Sequence, residues 1–241
     1  MPRFHVSIPL AAGAEMALPP GAARHAQVLR LQPGSAVTLF DGRGGEWDAA
    51  ITRMGRSDVH VRVGTHQALE RECARPVHLA VGLMAAERMD WLVEKATELG
   101  AASLTPLLMA RSSLRLSGER AARKRAHWQA VAVAACEQSG RNRLLDVRDQ
   151  LSFQEYLALP GAAAGARWLL SLAPQAQTAS ARLAALLSGA AVTLLSGPEG
   201  GLSPDEDAAA RAAGWLPLDL GARVLRAETA PLAALSLLTL P

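Results

Sequence analysis

The stretch Val192-Thr193-Leu194-Leu195-Ser196-Gly197-Pro198-Glu199-Gly200-Gly201-Leu202-Ser203-Pro204-Asp205-Glu206 reads as a strand, a glycine loop and the start of a helix. Val192 to Leu195 is a short apolar run of strand type. Ser203 with Glu206 three positions on forms a capping box, and Pro204 occupies the first helical position, where its missing N–H costs nothing. Between strand and helix lie three glycines in five residues, Gly197 to Gly201. Such a loop can be a tight structural turn, or it can let backbone approach a ligand closely and adopt positive φ. In open α/β sheets ligands bind outside the carboxyl ends of the strands, which is where this loop must lie. It is neither G-x-G-x-x-G nor a Walker loop, which counts against a dinucleotide fold or an NTPase.

Upstream the same alternation repeats. Val77 to Leu83 is a buried-strand run, and Glu87 to Leu99 carries Met89, Leu92, Val93, Ala96 and Leu99 at helical spacing, ending at Gly100. Leu104 to Leu108 is a strand and Glu119 to Ser139 a helix. Trp168 to Leu172 is another strand, followed by a helix from about Ser180 to Ser188. Strand–helix alternation over residues 76–241 predicts a largely parallel sheet with helices on its faces. Residues 1–70 read differently. Ala36 to Phe40 ends at the turn dipeptide Asp41-Gly42, Glu46 to Ile51 and Val59 to Val63 are further short strands, and Arg24 to Leu31 is a short helix. That predicts a compact β barrel or sandwich, joined to the α/β domain by a polar linker from Thr65 to Arg75.

The chain has 241 residues, enough for one large domain or two modest ones, with 50% apolar and 20% charged residues, a globular composition. A net charge of +3 and a pI near 9.4 permit a polyanionic partner without proving one. Cys73 and Cys136 are widely spaced and make no C-x-x-C pattern, and the six histidines do not cluster at ligand spacing, so no disulfide framework and no metal site is expected. Met1 to His5 carries no apolar signal region, and no apolar run approaches the ~18 residues of a membrane span. The expectation is a cytoplasmic protein with no membrane contact.

Near the C-terminus a strand, Leu216 to Leu220, enters Leu220-Gly221-Ala222-Arg223-Val224-Leu225-Arg226-Ala227-Glu228-Thr229-Ala230, ahead of an apolar helix from about Pro231. Charges gathered before an apolar helix can be helix capping plus a buried Arg–Glu pair, or part of a site. A basic face, Arg120, Arg123, Lys124, Arg125 and His127, lies on the helix that starts near Glu119 and reads more readily as solvated surface than as a contact for a polyanion.

Gly-Pro-Glu-Gly-Gly at 197–201 and Leu-Gly-x-Arg-Val-Leu-Arg-x-Glu-Thr-Ala at 220–230, taken together, resemble the RsmE family of the SPOUT superfamily of methyltransferases. Further matches occur in order: Arg3-Phe4-His5, His25 to Leu31, Leu39 to Gly42, Arg88-Met89-Asp90, Glu94 to Gly100, Arg111-Ser112 and Glu137 to Arg141. Ala85-Ala86 departs from the family, where a basic residue and a glycine are usual. The resemblance implies a small PUA-like β domain that binds RNA, followed by an α/β domain with a deep trefoil knot. It implies S-adenosylmethionine as cofactor, a homodimer, and methylation of N3 of a uridine in the decoding region of 16S rRNA in the small (30S) ribosomal subunit. Three knot loops would hold the cofactor: Leu170, Ser171 and Leu172; Ser196, Gly197, Pro198, Glu199, Gly200 and Gly201; and Leu220, Gly221, Val224 and Leu225. The resemblance further implies catalytic roles for Arg226 and Glu228, and RNA contacts from Arg3, His25, Arg30, Arg88, Arg111 and Arg141. Glu228 could orient Arg226, cap the last helix or accept the N3 proton. The apolar helix from Pro231 to Leu240 would supply the dimer stripe, with Leu232, Leu235 and Leu238 among its members. Two other readings stand beside this one: a non-catalytic RNA-binding or ribosome-assembly factor on the same fold, and a related methyltransferase with a different RNA target.

Overall fold

The computed structural model describes residues 1–159, 165–172 and 176–240. Two compact units separate, residues 1–72 with 133–144, and residues 73–132 with 145–241. The division falls between Glu72 and Cys73, and residues 133–144 group with the N-terminal unit, a departure from the expected boundaries of 1–70 and 76–241.

The first unit contains β1 (Arg3–His5), β2 (Glu15–Ala17), α1 (Pro20–Val28), β3 (Ala36–Phe40), β4 (Glu46–Met54) and β5 (Val59–Gln67). They build a five-stranded sheet in the order β1-β3-β4-β5-β2, antiparallel except where β1 joins β3. Phe4, Val37, Leu39, Ile51, Val59 and Val61 fill its core, closed by Ala22, Ala23 and Ala26 of α1. The helix starts four residues earlier than its apolar pattern suggested, because Pro20 sits at its N-terminus. It stops earlier too, since Arg30 takes a left-handed φ of 54°. The expected linker from Thr65 is shortened because β5 runs on to Gln67.

Residues 133–144 belong here through polar contacts that no local pattern reveals. The Glu137 carboxylate accepts from His5 N–H at 2.9 Å, and the Asn142 side chain accepts from Arg3 at 2.6 Å and donates to Leu69 O at 2.7 Å. The backbone adds Gly44 N–H to Asn142 O at 3.1 Å and Leu144 N–H to Gly42 O at 3.2 Å.

The second unit contains β6 (Val77–Gly82), α2 (Ala86–Glu98), β7 (Ser103–Leu108), α3 (Gly118–Ser139, its last residues in the first unit), β8 (Asp146–Val147), β9 (Leu151–Ser152) and α4 (Phe153–Leu157). It continues with β10 (Ala166–Leu170), β11 (Gln177–Thr178), α5 (Ala179–Ala184), β12 (Val192–Ser196), α6 (Pro204–Ala212), β13 (Leu216–Asp219) and α7 (Thr229–Thr239). The strands form one all-parallel sheet in the order β11-β13-β10-β12-β6-β7-β8, with β9 also pairing β7. Side chains alternate between two cores. Val77, Leu79, Val81, Val192 and Leu194 pack with Met89, Leu92 and Val93 of α2 and Leu232, Leu235 and Leu238 of α7. Ala80, Leu107, Leu169 and Leu195 pack on the other face with Phe153, Tyr156, Ala210 and Trp215. A sheet covered on both faces explains why its central strands read as continuous apolar runs.

This packing corrects one expectation. Leu232, Leu235 and Leu238 were assigned to a dimer stripe, but all three are buried in the chain's own core, where α7 lies over β6 and β12. The α7 residues left well exposed at its C-terminal end are Leu237 and, at its C-cap, Leu240.

Candidate functional site

The parallel strands β13, β10 and β12 are neighbours, so their carboxyl ends deliver three chain segments to one edge of the sheet. Between them lies a cleft of about 600 Å³. All thirteen residues expected to hold the cofactor line it: Leu170, Ser171 and Leu172 after β10, Ser196 and Gly197 to Gly201 after β12, and Leu220, Gly221, Val224 and Leu225 after β13. The onward continuation of the first segment, residues 173–175, lies outside the described residues.

Local chemistry fixes each loop. After β12, Gly201 N–H bonds to Pro198 O at 2.8 Å, closing a tight turn with Gly201 at φ +68°. A Cβ on Gly197 would stand 2.7 Å from the backbone of Gly201 and Leu202. Both glycines are therefore needed for the turn itself, while the loop still presents backbone to the cleft. On the far side of the turn a Cβ on Gly82, at the end of β6, would stand 2.4 Å from Pro198 N and Cδ, so only glycine lets the loop settle there. Arg111 straddles the turn, donating to Gly200 O at 2.9 Å and Leu202 O at 3.2 Å. The helix that follows is capped by Ser203 and Glu206 as the sequence indicated, and the Glu206 carboxylate also accepts from Ala110 N–H at 2.8 Å. After β13, Asp219 accepts from Gly221 N–H at 2.8 Å. After β10, Ser171 N–H bonds to Leu218 O at 3.2 Å.

Glu199 does not point at open solvent. Its carboxylate accepts from Ala85 N–H at 2.9 Å and from Ser113 Oγ at 3.0 Å, with Arg88 at 3.6 Å. Burial works to raise its pKa, but the Ala85 and Ser113 bonds and the Arg88 charge outweigh that and hold the carboxyl below the ordinary value. Ser196 Oγ is buried against the cleft with no hydrogen-bond partner among the described residues. Its orphaned state marks a polar atom that a bound molecule could satisfy.

Arg226 and Glu228 flank the cleft rather than line it; Arg223, Ala227 and Ala230 do line it. The Arg226 side chain is exposed, and its carbonyl accepts from Thr229 and Ala230 N–H at 3.0 Å, which starts α7. Glu228, with a side chain 10% exposed, makes no cap bond to α7 and does not pair with Arg226. Its Oε2 has no hydrogen bond among the described residues and lies 4.0 Å from Arg88. Capping and orientation of Arg226, two of the roles expected for Glu228, thus have no contact behind them. Arg88 instead bridges Glu199 and Glu228.

The expected RNA contacts divide. His25 and Arg30 are exposed in the first unit. Arg3 and Arg141 are not. Arg3 donates to Glu46 at 2.6 Å and lies over the Phe40 ring, and Arg141, with a side chain 5% exposed, donates to Glu72 at 2.6 and 3.0 Å. Both guanidiniums are spent holding the first unit together, because a buried cation left unpaired would cost several kcal/mol, roughly, in desolvation. In the second unit Arg88 and Arg111 carry the internal bonds described above. The supports from Gly82, Arg111 and Arg88 join positions far apart in the chain, so no spacing pattern could have announced them. Among the described residues no group of three or more His, Cys, Asp or Glu could hold a metal ion, and no helix is long and apolar enough to cross a membrane.

Comparison with known proteins also finds two parts. A family model described as RNA methyltransferase domain matches residues 71–239, and one described as RNA methyltransferase PUA domain matches residues 18–64. Ribosomal RNA small subunit methyltransferase E of Bacillus subtilis (strain 168) is 32% identical, over 87% of this chain and 83% of its own length. The protein of the same name from Synechocystis is 35% identical, over 87% and 67%. Among solved structures, ribosomal RNA small subunit methyltransferase E from Neisseria gonorrhoeae bound to S-adenosyl methionine superposes with a TM-score of 0.89 at 35% identity, covering 98% of this chain and 96% of that one. A putative methyltransferase from Legionella pneumophila, in complex with the bound cofactor, gives 0.91 at 33% identity with the same coverage. With matches of this extent at both the sequence and the structural level, the chain belongs to the ribosomal RNA small subunit methyltransferase E (RsmE) family.

Proposed function

We propose that this protein transfers a methyl group from S-adenosylmethionine to N3 of a uridine in the decoding region of 16S rRNA, acting on the small ribosomal subunit. The observation that carries the reading is the three-loop cleft at the carboxyl ends of β13, β10 and β12, whose lining coincides with the residues the family motifs single out. Its volume suits a nucleoside-sized ligand. Leucine and glycine dominate the lining, so backbone N–H and C=O groups would read the polar edge of an adenine, and the orphaned Ser196 Oγ offers one more hydrogen-bonding group. The residues present fit the cofactor. When bound it supplies an activated methyl on a sulfonium centre.

The protein's own task is positioning. An in-line displacement gains most from holding acceptor and donor atoms aligned, and Arg111, Gly82 and the turn Pro198–Gly201 give the cleft one fixed wall. Uridine N3 carries a proton that must leave. Arg226 presents a fork of donors suited to an RNA phosphate or to charge developing on a uridine oxygen. Glu228 offers a mostly buried carboxylate with one oxygen free of hydrogen bonds among the described residues, and in this reading it could accept that proton. The order of the sheet, in which β13 lies beyond β10 rather than beside β12, supports the trefoil knot as part of this reading. A homodimer working in the cytoplasm, with the N-terminal domain gripping RNA, completes it.

Incubating the protein with labelled S-adenosylmethionine and small subunits, then mapping the rRNA by mass spectrometry, tests the proposal. One methyl on N3 of a single decoding-region uridine is expected. Label on another base or on ribose oxygen, or none, overturns it.

A further inference from the structure

A second concavity lies in the α/β unit, lined by Leu116, Arg120, Arg123, Lys124 and His127. Four of these five side chains are basic, and the fifth, Leu116, precedes α3, its carbonyl held by Gln150 at 3.2 Å. The basic side chains sit about one helical turn apart on one face of α3, at positions 120, 123, 124 and 127. Two are partly committed: Arg123 reaches Glu119 at 3.3 Å, and His127 lies 2.8 Å from Asp90, whose other oxygen accepts from Trp128 at 2.9 Å. The side chains of Arg120 and Lys124 have no ion pair or hydrogen bond among the described residues. The groove therefore holds two cations with open donors, Arg120 and Lys124, beside Arg123 and His127, which acidic partners anchor.

Its place in the chain gives it a purpose. Arg111 lines the cofactor cleft, and Leu116 is five residues on, a stretch that spans at most roughly 18 Å. Phosphates of one strand recur about every 3.4 Å along a nucleic-acid helix, so a strand whose target base reached the cleft would carry its neighbouring phosphates within range of the groove. Leu116 suits the sugar face of such a strand, and the four basic groups suit its phosphates.

We infer that the groove on α3 between Leu116 and His127 is a phosphodiester-binding site, which holds the RNA strand a few nucleotides from the base being methylated. The inference rests on the proposed function for the identity of the RNA. The test is the double variant Arg120→Gln, Lys124→Gln in the full chain; glutamine keeps helix propensity and length while removing both charges. Equilibrium binding to small ribosomal subunits is measured at 50 and 200 mM salt, beside S-adenosylmethionine affinity and kcat. Each phosphate contact accounts for roughly a threefold loss of affinity between those salt concentrations. The wild type should therefore lose about tenfold more affinity over that range than the variant, and the variant should bind more weakly at low salt, with cofactor affinity and kcat unchanged. Unchanged binding overturns the inference. So does weaker binding with the salt dependence of the wild type, because the lost contact would then not be to phosphate. A wild-type protein that binds subunits but methylates no uridine sinks the proposed function and leaves the binding comparison to decide the groove.

Discussion

Arg226 and Glu228 stand two residues apart at the start of α7, yet their side chains meet different surroundings. Arg226 reaches solvent beside the cleft; Glu228 turns inward toward Arg88. The pair is therefore separable by mutation. Arg226→Ala removes an exposed donor fork with no side-chain hydrogen bond or ion pair among the described residues, so its folding cost should be small. Its effect should fall on turnover, lowering kcat on the order of 100-fold, as loss of a charge-stabilising donor does. S-adenosylmethionine affinity by titration calorimetry should stay within error. Normal turnover in a folded Arg226→Ala protein would remove this residue from the reaction. The sequence had marked both residues but could not separate them, since two charges two positions apart look alike until the backbone turns one outward and buries the other.

At the scale of elements, α2 illustrates how a helix can be completed from far along the chain. Its N-cap is Ala85, which offers no side-chain cap, and the Glu199 carboxylate, 114 residues away, accepts the Ala85 N–H instead. An anion at a helix N-terminus is favourable, and here it also ties α2 to the glycine loop. The folded pKa of Glu199 lies below its ordinary value. Its stabilising contribution is thus fully present above the unfolded value, about 4.3, and is lost as pH falls through the lower folded value. Glu199→Gln should cost roughly 1 kcal/mol at pH 7, and the gap to wild type should close in acid. Urea unfolding midpoints at pH 7 and pH 3 check this; an undiminished gap at pH 3 would mean that charge is not what Glu199 contributes. The strands β6, β7, β10, β12 and β13 and the helices α2, α3 and α6 were all legible, because apolar runs, helical spacing and the Ser203–Glu206 box are local signals. β1, β2 and the short β8, β9 and β11 were not: two or three residues carry no measurable period, and only their partners define them. The cleft was legible for a similar reason, since its loops are continuous motifs. Its supports were not legible as supports: Gly82 carried no signal, Arg88 and Arg111 stood out only as expected RNA contacts, and all three act through residues far along the chain.

For the whole molecule the open question of highest consequence is how many copies work together. α7 is apolar nearly all round, and a helix of that kind is ordinarily covered on every side. Its inward residues Leu232, Leu235 and Leu238 are accounted for by the core. Leu237 is 50% exposed, and Trp91 on the adjoining α2 is 44% exposed. Singly exposed apolar side chains are common on monomers, so exposure alone decides nothing; the case is that two lie on helices that pack together beside an otherwise apolar α7. A symmetric pair of such faces would make an isologous interface. Light scattering at micromolar concentration should then give twice the chain mass of 25.3 kDa. Leu237→Lys should shift the protein toward the single-chain mass, with its circular dichroism unchanged, because the side chain it replaces is not in the core. A wild-type mass of 25.3 kDa would exclude the dimer outright. A wild-type dimer that Leu237→Lys leaves intact would place the interface on another face and remove α7 from it.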